Sequence, residues 1–211
     1  MLNADVLTFQ EFVMHEPLPL SRIQEAVFEF MQGRDDAVLF GAQAVNAYVS
    51  EPRATQDVDI LSTRAKEFAE ELREHLSERF HIAVRVREIG EKGLRVYQVR
   101  KEGNRHLVDV RSVSDFPQTR IIEQVRVIAP AELIAYKVIS YQSRFGKSKS
   151  WTDRRDLAVL LLRFPELKIV GTEVSQILET NDAPVEAVNV WQELAEQEMP
   201  PEEDDDGYDL G

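Results

Sequence analysis

The sequence predicts an α/β (α+β) fold, in which a small mixed sheet with flanking helices is followed by a helical C-terminal domain. In the first part of the chain, short runs that alternate apolar and polar residues are typical of strands, and helical patterns lie between them. After residue 128, apolar residues recur every three or four positions, which is typical of helices alone. We therefore expect a sheet domain with N-terminal helices over residues 1–128 and a helical domain over residues 129–198.

Composition limits the classes of protein to which this chain can belong. Its 211 residues are 43% hydrophobic, which is enough for a buried core, and no apolar run is long enough to span a membrane. The N-terminal residues lack the pattern of a signal peptide, so we expect a cytoplasmic protein without a membrane partner. Because cysteine is absent, any metal must be bound by oxygen or imidazole ligands.

The charge of the chain argues against a general nucleic-acid-binding surface. The formal net charge is −13, whereas such surfaces neutralise phosphates with Lys and Arg. A nucleic-acid partner would therefore need a local basic patch. Much of the acidity lies in residues 199–211, which we interpret as a disordered acidic tail. Such a tail could shield an active site by mimicking nucleic acid, although a solubilising role is the simpler interpretation.

The most informative stretch is an apolar strand that ends at Phe40, a glycine turn at Gly41 and Ala42, a helix, and then a strand with Asp57 and Asp59. Alternate residues of a strand point to the same face, so the two aspartates share a face. Mg²⁺ typically takes one or two carboxylates together with substrate phosphates. The unpaired N–H groups at the start of the helix suit an anion. The stretch therefore predicts adjacent cation and phosphate sites.

This order of features, with Arg53-Ala54-Thr55 leading into Asp57 and Asp59, resembles the nucleotidyltransferase superfamily that shares its fold with DNA polymerase beta. Within it, the sequence is most similar to the AbiEii-type nucleotidyltransferases, the toxins of type IV toxin–antitoxin systems. That family has a Gly-Ser or Gly-Gly pair where this chain has Gly41-Ala42, so a hydroxyl contact to phosphate is missing. The resemblance implies transfer of a nucleoside monophosphate from an NTP, with Mg²⁺ or Mn²⁺. It also implies RNA, particularly the tRNA end, as the acceptor and an antitoxin as a partner.

The resemblance further implies roles for individual residues. Asp57, Asp59 and a third acid on a later strand would bind metal and be catalytic. We expect Asp109 to be that acid, because its carboxylate reaches the same pocket if its strand pairs with the strand of Asp59. Three carboxylates can hold the two ions of a two-metal site. The residues implied to bind the nucleotide or its phosphates are Gly41, Ala42, Arg53, Thr55, Lys137 and Arg144.

In the helical domain, Lys137 and Arg144 border the apolar stripe of a predicted helix, where a cation needs an anionic partner. That partner is either a nucleotide phosphate or one of Asp153 and Asp156, which lie on the apolar stripe of the next helix. A structural interpretation of the two acids is a capping box that begins at Ser150. The functional interpretation is the Lys, Arg and Asp-x-x-Asp pattern of the AbiEii-type proteins. Both interpretations stay open.

Other functions also stay open at this point. A small hydroxylated molecule or a protein side chain could be the acceptor in the same metal chemistry. The chain could instead be a catalytically inactive member of the superfamily, kept as a binding or interaction module, which Ala42 and the acidic balance favour. The complete set of Asp57, Asp59 and Asp109 favours an enzyme.

Overall fold

The computed structural model describes residues 18–91 and 93–198. The chain divides into two compact units between Leu133 and Ile134. This division falls inside the helix Pro130–Ser143, slightly later than the boundary expected after residue 128. The expected acidic tail over residues 199–211 lies outside the described residues.

The first unit is a seven-stranded mixed sheet with flanking helices. Its elements in chain order are α1 (Leu20–Met31), β1 (Ala37–Phe40), α2 (Gly41–Tyr48), β2 (Val58–Ser62), α3 (Ala65–Phe80), β3 (Val84–Ile89), β4 (Gly93–Gln98), β5 (Arg105–Ser112), β6 (Thr119–Ile122) and β7 (Val125–Ile128). The strand order is β3-β4-β5-β2-β1-β7-β6, with β2/β5 and β1/β7 parallel and the other pairs antiparallel. This architecture confirms the predicted fold class.

The strands β2 and β5 at the centre of the sheet have a buried apolar face. Val58 and Ile60 of β2, together with Val108 and Val110 of β5, are completely buried. These residues alternate with Asp59 and Asp109, so one face of the two strands lies in the core and the aspartates lie on the other face. The two strands are therefore fixed firmly against each other, and the polar residues between these apolar positions are held in a defined register.

The second unit is helical, as expected. Helix α4 (Pro130–Ser143) crosses the division, and α5 (Ser148–Arg163), a short 3₁₀ turn (Pro165–Leu167), α6 (Glu173–Thr180) and α7 (Val185–Glu196) follow. The buried Trp191 of α7 donates a hydrogen bond of 3.0 Å to Ser175 of α6, which ties these helices together. Across residues 18–91 and 93–198, none of the helices combines the length and the apolar character that crossing a bilayer requires.

Asp36, just before β1, gives the fold a testable dependence on pH. Arg34 donates two hydrogen bonds of 2.8 Å to its carboxylate, and Arg64 donates a third of 3.3 Å. The bonds from Arg34 hold the pKa of Asp36 below its ordinary value, although burial opposes them. A carboxylate with a lowered folded pKa stabilises the fold above its unfolded pKa of about 3.9, and this contribution is lost as the pH falls through the folded pKa.

We therefore expect Asp36→Asn to reduce the loss of stability on acidification below about pH 4. The measurement is the free energy of unfolding from urea denaturation at a series of acidic pH values. Asp35→Asn is the matched control, because Asp35 is exposed and adjacent in sequence. A pH dependence that is unchanged in Asp36→Asn would contradict the expectation.

Candidate functional site

Asp59 lies on β2 directly against the start of α2. Its Cα partner on β1 is Phe40, and the next residue, Gly41, is the first residue of α2. A Cβ atom on residue 41 would lie only 2.3 Å from Asp59 Oδ2. Gly41 also has a φ of +69°, a conformation that favours glycine. The glycine turn and one of the two aspartates singled out in the sequence are thus in contact.

Asp57 comes immediately before β2, so the strand begins one residue later than the sequence pattern indicates. The side chain of Asp57 is half-buried. Its Oδ1 atom is buried and has no hydrogen-bond partner among the described residues. A buried carboxylate oxygen without a partner is unfavourable unless a donor or cation meets it. Because oxygen atoms are the ligands that Mg²⁺ and Mn²⁺ prefer, the oxygens of Asp57 and Asp59 fit such a cation.

The loop that carries Arg53 and Thr55 is held in place by buried amide side chains. Asn46 of α2 donates a 2.8 Å hydrogen bond to the Arg53 carbonyl and accepts one of 3.1 Å from the Arg53 N–H. Gln24 of α1 donates a 2.9 Å bond to the Thr55 carbonyl, and the Thr55 hydroxyl donates to the Asp57 carbonyl at 3.4 Å. Asn46 and Gln24 therefore fix the backbone that leads into Asp57. Their signal in the sequence is an amide among the apolar residues of a helix, and sequence reasoning assigned them no role.

Asp109 lies beside Asp59, because β5 pairs in parallel with β2 and the two aspartates are Cα partners. Directly paired residues of neighbouring strands point to the same face of the sheet. Both carboxylate oxygens of Asp109, however, accept hydrogen bonds of 2.7 Å from Arg95 of β4. Sequence reasoning missed Arg95, whose signal is only its position on the strand next to β5.

Arg95 shares the electrostatic surroundings of all three acids. Hydrogen bonds to Asp109 raise the pKa of Arg95, and the charges of Asp57 and Asp59 raise it further, while burial acts against them. Across residues 18–91 and 93–198, no three His, Asp or Glu side chains are grouped closely enough to hold a metal ion. The fit to a cation therefore rests on Asp57 and Asp59, and binding of Mg²⁺ or Mn²⁺ stays a prediction.

The contact between Gly41 and Asp59 can be tested by adding a single methyl group. We expect Gly41→Ala to lose about 1 kcal/mol of stability from the positive φ, and also to displace the Asp59 carboxylate. Gly33→Ala is a matched control, because Gly33 has a φ of +73° and nothing within 4 Å of an added Cβ. Calorimetry with Mn²⁺ should show weaker binding for Gly41→Ala alone. Equal Mn²⁺ affinities in the two variants would contradict the expectation.

In the second unit, Lys137 of α4 and Arg144, which directly follows α4, are paired with two buried acids of α5. Lys137 is only 8% exposed, and its Nζ lies 2.6 Å from Asp156 Oδ2 and 3.2 Å from Asp153 Oδ1. Arg144 donates a 2.9 Å hydrogen bond to the other oxygen of Asp153. The anions that meet Lys137 are thus internal carboxylates, which was the structural alternative to a nucleotide.

The start of α5 differs from the predicted capping box. The helix begins at Ser148 with Lys147 as the preceding extended residue, so Ser150 lies inside the helix and its hydroxyl donates to the Lys147 carbonyl. The capping-box interpretation is therefore wrong. Asp153 lies beyond the first turn of the helix. Its buried carboxylate is bound by Lys137 and Arg144.

Comparison with solved structures shows the fold of this chain. The crystal structure of the Megavirus polyadenylate synthase has a TM-score of 0.57 and 14% sequence identity, over 69% of this chain and 32% of that chain. JHP933 from Helicobacter pylori has a TM-score of 0.54 and 12% identity, over 90% of this chain and 94% of that chain. No protein-family model and no curated protein matches the sequence. The chain therefore has the nucleotidyltransferase-like fold that the sequence predicts, and it spans about a third of the viral enzyme.

Proposed function

We propose that this protein is a metal-dependent nucleotidyltransferase, which transfers a nucleoside monophosphate from an NTP to an acceptor hydroxyl. The observation that carries the proposal is the contact of Asp59 with Gly41 at the start of α2, together with the buried oxygen of Asp57 that has no hydrogen-bond partner among the described residues. Phosphoryl transfer needs positive charge and phosphate-binding donors at one place, and this arrangement can supply both. The fold shared with a protein named as a polyadenylate synthase agrees with this reaction.

In the proposed reaction, the acceptor oxygen forms a bond to the α-phosphorus of the NTP. The bond from that phosphorus to the bridging oxygen breaks, and pyrophosphate leaves. Backbone N–H groups at the start of α2 would bind the outer phosphates, because they lie at the positive end of the helix dipole. The missing side chain at Gly41 would leave this approach open. Ala42, Arg53 and Thr55 are candidates for further phosphate contacts.

The acids would divide the remaining tasks. Asp57 and Asp59 would hold Mg²⁺ or Mn²⁺, which when bound supplies positive charge to the phosphate oxygens. We assign Asp109 to the acceptor hydroxyl, whose proton it would accept. Because Arg95 binds both oxygens of Asp109, this role requires the carboxylate to be released from Arg95 first.

RNA, with the tRNA end as the first choice, is the acceptor that we propose on the resemblance to AbiEii-type toxins. The same resemblance leads us to propose a toxin role with an antitoxin as the partner. A small hydroxylated molecule and a protein side chain are the alternative acceptors. All three would react through the same hydroxyl chemistry, so the labelled product decides among them.

The test is to incubate the full chain with each α-³²P-labelled NTP, with Mg²⁺ or Mn²⁺, and with total RNA or a small-molecule acceptor panel. Label in RNA, in protein or in a small molecule would identify the acceptor. The control is the double variant Asp57→Ala/Asp59→Ala, which should incorporate no label while remaining folded. Absence of label with every NTP and both metals would refute the catalytic proposal.

A second candidate is an inactive binding module of the same fold. The observation that favours it is the pair of hydrogen bonds by which Arg95 occupies both oxygens of Asp109. Titration with fluorescent NTP analogues separates the two candidates. Nucleotide binding without any transfer would favour the module, whereas transfer would exclude it.

A further inference from the structure

The turn between α4 and α5 and the first turns of α5 form a basic surface, which we define as residues 144–155 and call the α4–α5 basic surface. Its cations are Arg144, Lys147, Lys149, Arg154 and Arg155, and its single acid is Asp153. Asp153 is buried and already paired with Lys137 and Arg144, so it does not neutralise the exposed cations. In a chain with a net charge of −13, this segment is a local concentration of positive charge.

Two aromatic side chains stand out from this surface. Phe145 and Trp151 are each 69% exposed. The rings of Phe145 and Tyr141 meet in a T-shaped contact, with centroids 6.2 Å apart and an angle of 82° between the planes. Burying a large aromatic ring is favourable, so a ring left exposed to water does not contribute this stabilisation to the fold. Exposed apolar side chains that lie together often mark a binding site. The basic surface therefore offers two flat apolar faces as well as charge.

Two of the cations share a face of α5 with the tryptophan. Arg154 and Arg155 follow Trp151 by three and four positions, which places them on the same face of the helix. Lys147 and Lys149 lie just before them and are also exposed. In the part of the chain that the structure describes, no carboxylate forms a salt bridge with these four cations. Their charge is thus available to a ligand.

We propose that the α4–α5 basic surface binds single-stranded RNA, with bases stacked on Trp151 and Phe145 and with phosphates near the four exposed cations. Proteins bind single strands by this combination of aromatic platforms and positive charge. A duplex keeps its bases stacked inside, so they cannot stack on the two rings. An acidic protein would bind the cations but would not stack on the faces of the rings. RNA is favoured over DNA because folded RNA regularly presents unpaired loops and ends.

This inference rests on the proposed function only in the class of the acceptor, and its test is independent of catalysis. The full chain is titrated into a fluorescein-labelled single-stranded RNA of about 12 nucleotides, without NTP or divalent metal. Trp151 gives a second signal, because the other of the two tryptophans, Trp191, is completely buried. We expect RNA to quench the tryptophan fluorescence of the wild type but not of Trp151→Phe.

Two sets of variants separate stacking from charge. Trp151→Ala and Phe145→Ala should each weaken binding by about tenfold, whereas Val185→Ala, at an aliphatic residue that is 70% exposed, should not. Arg154→Gln/Arg155→Gln should reduce the slope of log K against log salt by about 1.4. The matched control is Arg85→Gln/Lys101→Gln, which removes two exposed cations of the first unit and should leave the slope unchanged. Thermal melting checks that every variant is folded.

Several results would overturn the inference. One is an affinity of Trp151→Ala for the single-stranded RNA that equals the wild-type affinity. Another is binding of an RNA duplex or of polyglutamate as tight as binding of the single-stranded RNA. A third is tighter binding of single-stranded DNA of the same sequence. Failure to bind RNA would leave nucleotide transfer to another acceptor standing. Conversely, RNA binding without any label transfer would count against the proposed function and not against this surface.

Discussion

Replacing Asp59 with asparagine should lower nucleotide transfer by at least about a hundredfold while the protein stays folded. The variant keeps the shape of the side chain against Gly41 but removes the negative charge that would hold a divalent cation. Mn²⁺ binding, measured by calorimetry without nucleotide, should weaken in parallel. Transfer is measured as incorporation of α-³²P label from the NTP that the wild type uses.

The control for Asp59→Asn is Asp35→Asn, which removes one negative charge from an exposed position. It should retain transfer and Mn²⁺ affinity at the wild-type level. If Asp59→Asn also retained both, the cation role of Asp59 would be wrong. A loss of transfer with unchanged Mn²⁺ affinity would place the function of Asp59 in a step other than cation binding.

Replacing Lys137 with methionine should destabilise the second unit by about 3–5 kcal/mol. The change leaves Asp156 without the ammonium group at 2.6 Å, and among the described residues it leaves Asp153 with Arg144 as its remaining cation. Both acids are almost inaccessible to solvent, so water cannot replace the lost partner. The measurement is the free energy of unfolding from chemical denaturation. We expect NTP affinity, measured below the melting temperature, to be unchanged.

Lys147→Met is the control, because it removes the same charge from an exposed position without a carboxylate partner in the described residues. It should change stability by no more than about 0.5 kcal/mol. Lys137→Met/Asp156→Asn should recover part of the loss, since it neutralises both members of the buried pair. Weaker NTP binding by Lys137→Met with wild-type stability would instead support the nucleotide-binding role.

The features predictable from the sequence are those encoded by neighbouring residues. Alternation around Val58 and Ile60 marks a buried strand, and a glycine directly after Phe40 marks a turn into a helix. Steric necessity connects these local signals to the site, because only glycine leaves room for the carboxylate of Asp59. The fold class follows from the same local periodicities, and it is confirmed.

The features that sequence reasoning did not assign depend on pairings between distant segments. Whether Arg95 meets Asp109 is decided by the register of β4 on β5, which a one-residue shift would abolish. The choice of Lys137 between a nucleotide and an internal acid depends on how α4 packs against α5. Asn46 is visible in the sequence as an amide among apolar helix residues, but its partner, the backbone of Arg53, is known only from the structure.

The parallel pairing of β2 with β5 also affects when the site can form as the protein folds. Asp59 and Asp109 become neighbours only through this pairing, and α3, β3 and β4 lie between them in the chain. Closing so long a loop costs chain entropy before any contact compensates for it, and parallel non-local pairing is a slow event in folding. A nascent chain whose β5 has not yet been synthesised therefore contains Gly41 and Asp59 but not Asp109.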